Sequence, residues 1–214
     1  MWCAGALLLA QHYQSTVVAV DSSAVFINEL TARAKQLDLD RLIVPIQGDM
    51  AQLDRSVGVF DLLWSEGAIY HLGFEQGLKL WRPLLVERGI AVISELSWFI
   101  DRAPDPAIAY WQNAYPMIRT EAENIVRAAS PLGNRANRSG FRVLSTHRLP
   151  SQAWWVNYYE PLRERMQQSE ITPITRWRSL SARQSVIDET EAEMRMFERF
   201  SDSYGYTFYV LQAV

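Results

Sequence analysis

Four short apolar runs in this chain each end on residues able to do chemistry: "VVAV" on Asp21, "LIVPIQG" on Asp49, "FDLLW" on Ser65 and Glu66, and "GIAVI" on Ser94 and Glu95. A carboxylate just beyond a buried strand, beside a glycine-bearing turn, accepts paired hydrogen bonds from vicinal hydroxyls such as those of a ribose. Asp21 is expected to be that group. One strand over, Asp49 offers an acceptor for an adenine amino group, and Met50 a thioether that packs on a ring. Each carboxylate also has a local use, Asp21 in capping the helix that follows and Asp49 in a plain Gly-Asp turn. One polar strand end is ordinary turn chemistry, whereas four in register describe a site.

These residues need a frame to hold them. The pattern predicts strands near 16–21, 42–47, 59–64, 89–95, 141–148 and 206–214. Between them lie helical spacings: Ser22 to Leu37, with Ser22 or Ser23 as cap, then Leu78, Leu80, Trp81 and Leu84, then 151–168 and 179–201. Apolar strands alternating with helices predict an α/β fold with a mostly parallel sheet, right-handed crossovers and helices on both faces. In such a sheet the carboxyl ends of the strands form the ligand-binding edge. Residues 130–140 read as a loop, and the second half is rich in aromatic residues.

Composition narrows the function further. A net charge of −3 and a pI near 5.7 give no clustered basic face for nucleic acid. Cys3 is the only cysteine and no metal-finger spacing occurs, so neither an internal disulfide nor a metal site is expected. "MWCAGALLLA" lacks the charged start and cleavage site of a signal peptide, and no apolar run reaches the roughly 18 residues that cross a bilayer. A soluble, cytoplasmic chain of one domain, residues 1–214, is expected, with 98–140 and 149–201 forming an aromatic substrate-side lobe.

The block "FDLLWSEGAIYHLGFEQGLKLWRPLLVERGIAVISELSWF" resembles a group of bacterial class I S-adenosylmethionine-dependent methyltransferases acting on small molecules. The likeness continues through "AYP", "AWWVNYYEPL" and "YGYTFYVLQ", with 130–140 as an insertion. It implies a Rossmann-like seven-stranded sheet whose last strand, 206–214, is antiparallel. It also implies that Asp21, with Ser22 beside it, binds the cofactor ribose, that Asp49 and Met50 border the adenine, and that Ser65 and Glu66 line the floor near the methionine part. One departure stands out: the group opens with a strand and a Gly-x-Gly loop, of which only Gly5 has a counterpart here, followed by "ALLLA" as the next helix. The chain therefore resembles a member that lacks the usual first strand. That gap is expected to be filled by residues 1–5, closed by its neighbouring strands, or covered by a second copy, which makes a homodimer one expected assembly.

Methyl transfer from a sulfonium is an in-line displacement that needs alignment and exclusion of water, and positioning alone supplies about 7–11 kcal/mol. Aromatic rings enclose the site and stabilise cations, each by about 0.5–2 kcal/mol. Tyr70, Trp98, Trp111, Tyr115, Trp154 and Tyr158 are the expected pocket residues around the acceptor. His71, the imidazole that follows the third strand, is the expected general base, with Glu66 and Tyr70 beside it. Two rivals belong to other classes: a cofactor-free pseudoenzyme or interaction module of the same fold, and a nicotinamide-dependent reductase, which "WSEGAIY" does not fit.

With most of the glycine loop without a counterpart, the 214-residue chain is expected to bind S-adenosylmethionine weakly or not at all, and an added upstream segment bearing a Gly-rich loop to restore binding. Calorimetric titration of both forms checks this. Micromolar affinity and methyl transfer by the 214-residue chain would show that the strand-end carboxylates suffice.

Overall fold

The computed structural model of the chain describes residues 4–129, 139–171 and 180–214. In chain order the elements are α1 (Ala4–Tyr13), β1 (Val17–Asp21), α2 (Ala24–Gln36), β2 (Ile43–Gln47), β3 (Phe60–Ser65), α3 (Phe74–Trp81), β4 (Leu85–Trp98), α4 (Asp105–Ala114), β5 (Arg119–Thr120) and α5 (Glu121–Ala129). Then come β6 (Phe141–Arg148), α6 (Ser151–Trp154), a π turn (Trp155–Tyr159), α7 (Glu160–Ile171), α8 (Leu180–Phe200) and β7 (Tyr204–Ala213). Each expected strand is present, shifted at its ends by a few residues. The expected loop 130–140 lies outside the described residues except for Ser139 and Gly140.

The strands form two sheets, which corrects the expectation of one. β1 and β2 pair in parallel, Val17 with Ile43 through Asp21 with Gln47. The second sheet has the order β3-β4-β7-β6, with the short β5 also on β4. β3 and β5 run parallel to β4, while β7 is antiparallel to both β4 and β6. Among the described residues, no strand pairs with the second edge of β1 or of β3. Residues 4–13 are helical, so they add no strand there, and β1 and β3 have not closed on each other.

Three apolar cores follow from the side-chain periods. Ile69, Phe74, Leu78 and Trp81 pack with Leu85, Ala91, Ile93, Tyr209 and Leu211 under α3 and α5. Alternate residues of β7 from Thr207 to Ala213 are buried on this face, whereas Tyr206, Phe208, Val210 and Gln212 are only half-buried. Trp64 and Leu144 are exposed, so helices do not cover both faces of this sheet as fully as expected. Leu7 and Ala10 of α1 meet Leu30 and Ala34 of α2 over β2, and a third core joins α4, α6 and α8 into the aromatic lobe.

Side chains, not a strand ladder, link the two sheets. Trp81 Nε1 donates to the Met50 carbonyl at 2.9 Å and Arg55 Nε to the Pro83 carbonyl at 3.0 Å. A buried polar network fixes α5 to the larger sheet: the Ser97 and Tyr209 hydroxyls lie 2.8 Å apart, and Asn124 Nδ2 donates to both. Thr207 and Arg148 both donate to Glu121. Burial opposes ionisation of Glu121, but these bonds outweigh it and hold the carboxyl below its ordinary pKa.

Gly77 is fixed by packing, because a Cβ there would lie 2.6 Å from Cγ1 of the fully buried Ile69. Gly77→Ala is expected to destabilise the fold by about 1–3 kcal/mol through overpacking. Urea denaturation of the variant beside the native chain checks this.

Candidate functional site

The carboxyl ends of β1 and β2 are tied together, since Gly48 N–H donates to the Asp21 carbonyl at 3.0 Å. This places Asp21 and Asp49 on neighbouring strand ends. Asp21 is half-buried, and its Oδ1 accepts from Ser23 N–H at 2.7 Å. Ser23 occupies the N-cap position of α2 without a side-chain bond, so the cap chemistry sits on Asp21, not on the serine as the sequence predicted. Asp49 is exposed and accepts from Ala51 N–H at 2.8 Å and Gln52 Nε2 at 3.2 Å. Each acid therefore has one foot in a local turn. Ser22 is exposed, and its carbonyl accepts from Gln47 Nε2. Met50 is partly buried and packs against the first core, and its carbonyl accepts from Trp81 Nε1.

At the end of β3, Ser65 is buried and its Oγ has no hydrogen-bond partner. Glu66 is exposed, and its Oε2 lies 3.2 Å from where a Cβ on Gly5 would be, so α1 opens directly against it. Gly67 has φ +53°, a conformation that favours glycine, and its N–H donates to Ser94 Oγ at 2.8 Å. The loop is thereby folded over the end of β4. It carries Tyr70 and His71 in a 3-10 turn, both exposed, with ring centroids 3.9 Å apart.

Beneath this loop lies the strongest electrostatic feature of the crevice. β4 runs past the last β3 pair, Ser65 with Ile93, and reaches Glu95, which is only 3% exposed. Tyr115 Oη donates to Glu95 Oε1, and Tyr70 meets the Tyr115 ring edge-on at 5.5 Å. A Cβ on Gly67 would lie 3.4 Å from the Tyr206 hydroxyl, which puts that phenol under the same loop. Burial pushes the Glu95 carboxyl up to about 7, and the Tyr115 bond opposes the rise. Burial and the facing carboxylate also push the Tyr115 and Tyr206 phenols upward.

The expected aromatic residues separate into two groups. Trp111 and Trp154 are 6% exposed and belong to the lobe core with Tyr159, Phe197 and Tyr204. Trp98 packs on Tyr204 at 5.7 Å. Trp111 and Trp154 build the lobe core, whereas Trp98, on β4, is partly buried against it. Tyr70, Tyr115 and Tyr158 are the ones left at the surface of that core. Tyr158, in the π turn, is 44% exposed while the adjacent Tyr159 is buried and donates to Glu193 at 2.8 Å. Sequence reasoning placed Glu95 at a strand end but gave it no role. The available signal was a carboxylate inside "VISELSW", where both neighbouring positions are apolar or small.

Among the described residues, no group of three His, Cys, Asp or Glu side chains is placed to hold a metal ion, and no helix is long and apolar enough to cross a membrane. The acceptors available to a bound organic cofactor are Asp21, Asp49, Glu66 and the partnerless Ser65 hydroxyl.

Residues 3–93 match the family model described as a methyltransferase domain. No curated protein sequence matches the chain. Solved structures do. YjhP from E. coli aligns with a TM-score of 0.77 at 19% identity, over 97% of this chain and 80% of that one. A SAM-dependent methyltransferase from Geobacter sulfurreducens, in complex with S-adenosyl-L-homocysteine, aligns with a TM-score of 0.75 at 15% identity, over 96% of this chain and 78% of that one. A phosphoethanolamine N-methyltransferase 2 from Haemonchus contortus aligns at 0.66 and 15% identity, over 99% of this chain and 46% of that one. At these identities the likeness shows a shared fold.

A carboxyl raised from 4.5 to about 7 makes stability depend on pH with a definite sign. Below 4.5 the folded and unfolded states both hold the proton; between 4.5 and 7 only the folded state does, so stability falls as pH rises through this window. The loss attributable to Glu95 is on the order of 3 kcal/mol. Glu193, also raised by burial, adds a slope of the same sign. Denaturation midpoints measured from pH 4 to 8 should decline with pH in the native chain and decline less in Glu95→Gln.

Proposed function

We propose that this chain is a class I methyltransferase that transfers a methyl group from S-adenosylmethionine to a small-molecule acceptor, a reading supported by the domain match over residues 3–93 and by the shared fold. The observation that carries the reading is the tie between the ends of β1 and β2, which sets Asp21 and Asp49 side by side within the span that matches the methyltransferase domain. The donor set fits the cofactor in chemical character. Asp21 has a second carboxylate oxygen for ribose hydroxyls, Asp49 stands where an amino group needs an acceptor, and Glu66 offers a charge to an ammonium. The buried Ser65 hydroxyl, with no partner, adds a polar atom at the same edge, where the bare Cα of Gly5 packs closely against Glu66.

When bound, the cofactor supplies an electrophilic methyl group on a sulfonium. The residues of this chain do the rest: Asp21, Asp49 and Glu66 hold and orient it, with Ser22 and Met50 flanking them. The loop 67–73, pinned by Ser94 and carrying Tyr70 and His71, covers the reacting edge and limits water. Tyr115 and Tyr158 flank the acceptor side, and His71 stands at the mouth, where a proton can leave to solvent. The acceptor is small, because the lobe core of Trp111, Trp154 and Phe197 leaves only the phenol-lined surface free.

A second reading, a methyltransferase fold that binds no cofactor, draws support from one observation: the second edges of β1 and β3 have no strand partner among the described residues. Calorimetry separates the two. S-adenosylhomocysteine is expected to bind the chain, weakly as the glycine-loop expectation has it, and Asp21→Asn to weaken that binding about tenfold or more, since a hydrogen bond to a charged acceptor contributes roughly 1.5–3 kcal/mol. The asparagine keeps an oxygen for Ser23 N–H, so the thermal midpoint of the free variant should be unchanged. No binding by the native chain, or equal binding by the variant, would favour the second reading.

A further inference from the structure

We infer that the crevice at the end of β4 is an amine subsite, in which Glu95 binds the nitrogen of a cationic acceptor and takes its proton, with Tyr115 and Tyr206 beside it and Tyr70 behind Tyr115. This rests on the methyl-transfer reading of the crevice and names its acceptor class.

The geometry carries it. Glu95 is 97% enclosed, yet only Oε1 is bonded, by Tyr115. Oε2 has no hydrogen bond among the described residues and is not among the fully enclosed orphan atoms, so it is the part of the carboxylate that meets the crevice. No lysine, arginine or histidine perturbs it; the titratable groups that face it are the phenols of Tyr115, Tyr206 and Tyr209, with Glu121 beyond Tyr209 and Tyr70 beyond Tyr115. A buried carboxylate with no cation is a costly arrangement, and a cationic ligand is the missing partner that removes the cost. Phenol rings beside the carboxylate, those of Tyr115 and Tyr206 with Tyr70 edge-on to Tyr115, are surroundings of the kind that stabilise a cation. They also donate hydrogen bonds, which aliphatic walls do not.

The chemistry follows from the same groups. An ammonium has no lone pair for displacement. Oε2 accepts its N–H proton, and the freed pair forms the new C–N bond while the C–S bond of the methyl donor breaks, its electrons remaining on sulfur. A carboxyl held near 7 by burial is matched to this exchange around neutrality, whereas an ordinary glutamate is too weak a base. The acid is therefore both anchor and base. Its aromatic neighbours keep water from competing for it.

Three probes test the assignment by calorimetry without any methyl transfer: N,N-dimethylethanolamine, which is a protonated amine at neutral pH, choline, which is permanently cationic, and 3,3-dimethylbutan-1-ol, its neutral isostere. Both cations should bind at least tenfold tighter than the alcohol, and choline affinity should rise as pH passes upward through 7. Glu95→Gln should abolish this preference and the pH dependence, while Tyr70→Ala, at an exposed position, should weaken both cations severalfold and leave the fold intact. Equal binding of the alcohol, a flat pH profile, or an unaffected Glu95→Gln variant would overturn the assignment. S-adenosylhomocysteine titrated in parallel scores the cofactor reading on its own: loss of its binding with the amine preference intact counts against methyl transfer, and the reverse result counts against the amine subsite.

Discussion

The antiparallel ladder between β4 and β7 is the constraint on which the rest depends. It pairs Ile90 through Trp98 with Gln212 through Tyr204 without interruption, and β4 is the strand that also holds β3 and β5. Because β4 is 14 residues long and β3 only 6, the ladder carries β4 well past the end of its parallel neighbour. The protruding part needs cover, and it receives Tyr206 and Thr207 from β7, the loop 67–73 from β3, and Tyr115 from the end of α4. Glu95 is dry because the strand beneath it is continued. Were β4 to end with β3, the same carboxylate would sit at an open rim like Asp49.

Gly205 shows how closely the lobe is drawn onto that ladder. A Cβ there would lie 2.9 Å from the Phe99 ring, so the chain passes under the lobe with no room for a side chain. Arg148 stacks over Phe99 at 4.3 Å and donates to Glu121, which joins the end of β6 to α5 and to Thr207. Trp154 meets both Phe197 and Tyr206, at 4.3 and 4.8 Å. The lobe thus packs on the same β7 residues that close the crevice, and a change in lobe packing reaches Tyr206 through one ring contact.

Much of this was legible in the sequence. Apolar runs bounded by polar residues located the strands, and the resemblance carried the antiparallel last strand, since periodicity does not encode strand direction. The missing first strand was legible through the resemblance, but not that its place stays open among the described residues, because the pattern of "VVAVD" is the same whether its second edge is paired or open. Nor does composition sort the aromatic residues. Trp111 and Tyr115 are four residues apart at one end of α4, yet the first is in the core and the second bonds Glu95, because the helix ends at Ala114 and Tyr115 leaves the helical path. Asp21 reads equally as a ligand group and as a cap, and its two oxygens allow both. Glu95 reads in the sequence as one more acid at a strand end, whereas the strand runs on to Trp98.

The acids at the carboxyl edge therefore fall into two physical kinds. Asp49 and Glu66 are wet, and Asp21 is half-wet; a ligand there exchanges hydrogen bonds with water and gains modestly, by about 0.5–1.5 kcal/mol for each neutral bond. Such positions suit a large polar ligand gripped at many points. Glu95 is dry, where the same charge interacts through a lower effective dielectric and each unit of ligand charge is felt several times more strongly. Such a position suits a small ligand recognised at one atom. A transfer reaction between two molecules needs both kinds of grip, one broad and shared with solvent, the other narrow and shielded from it.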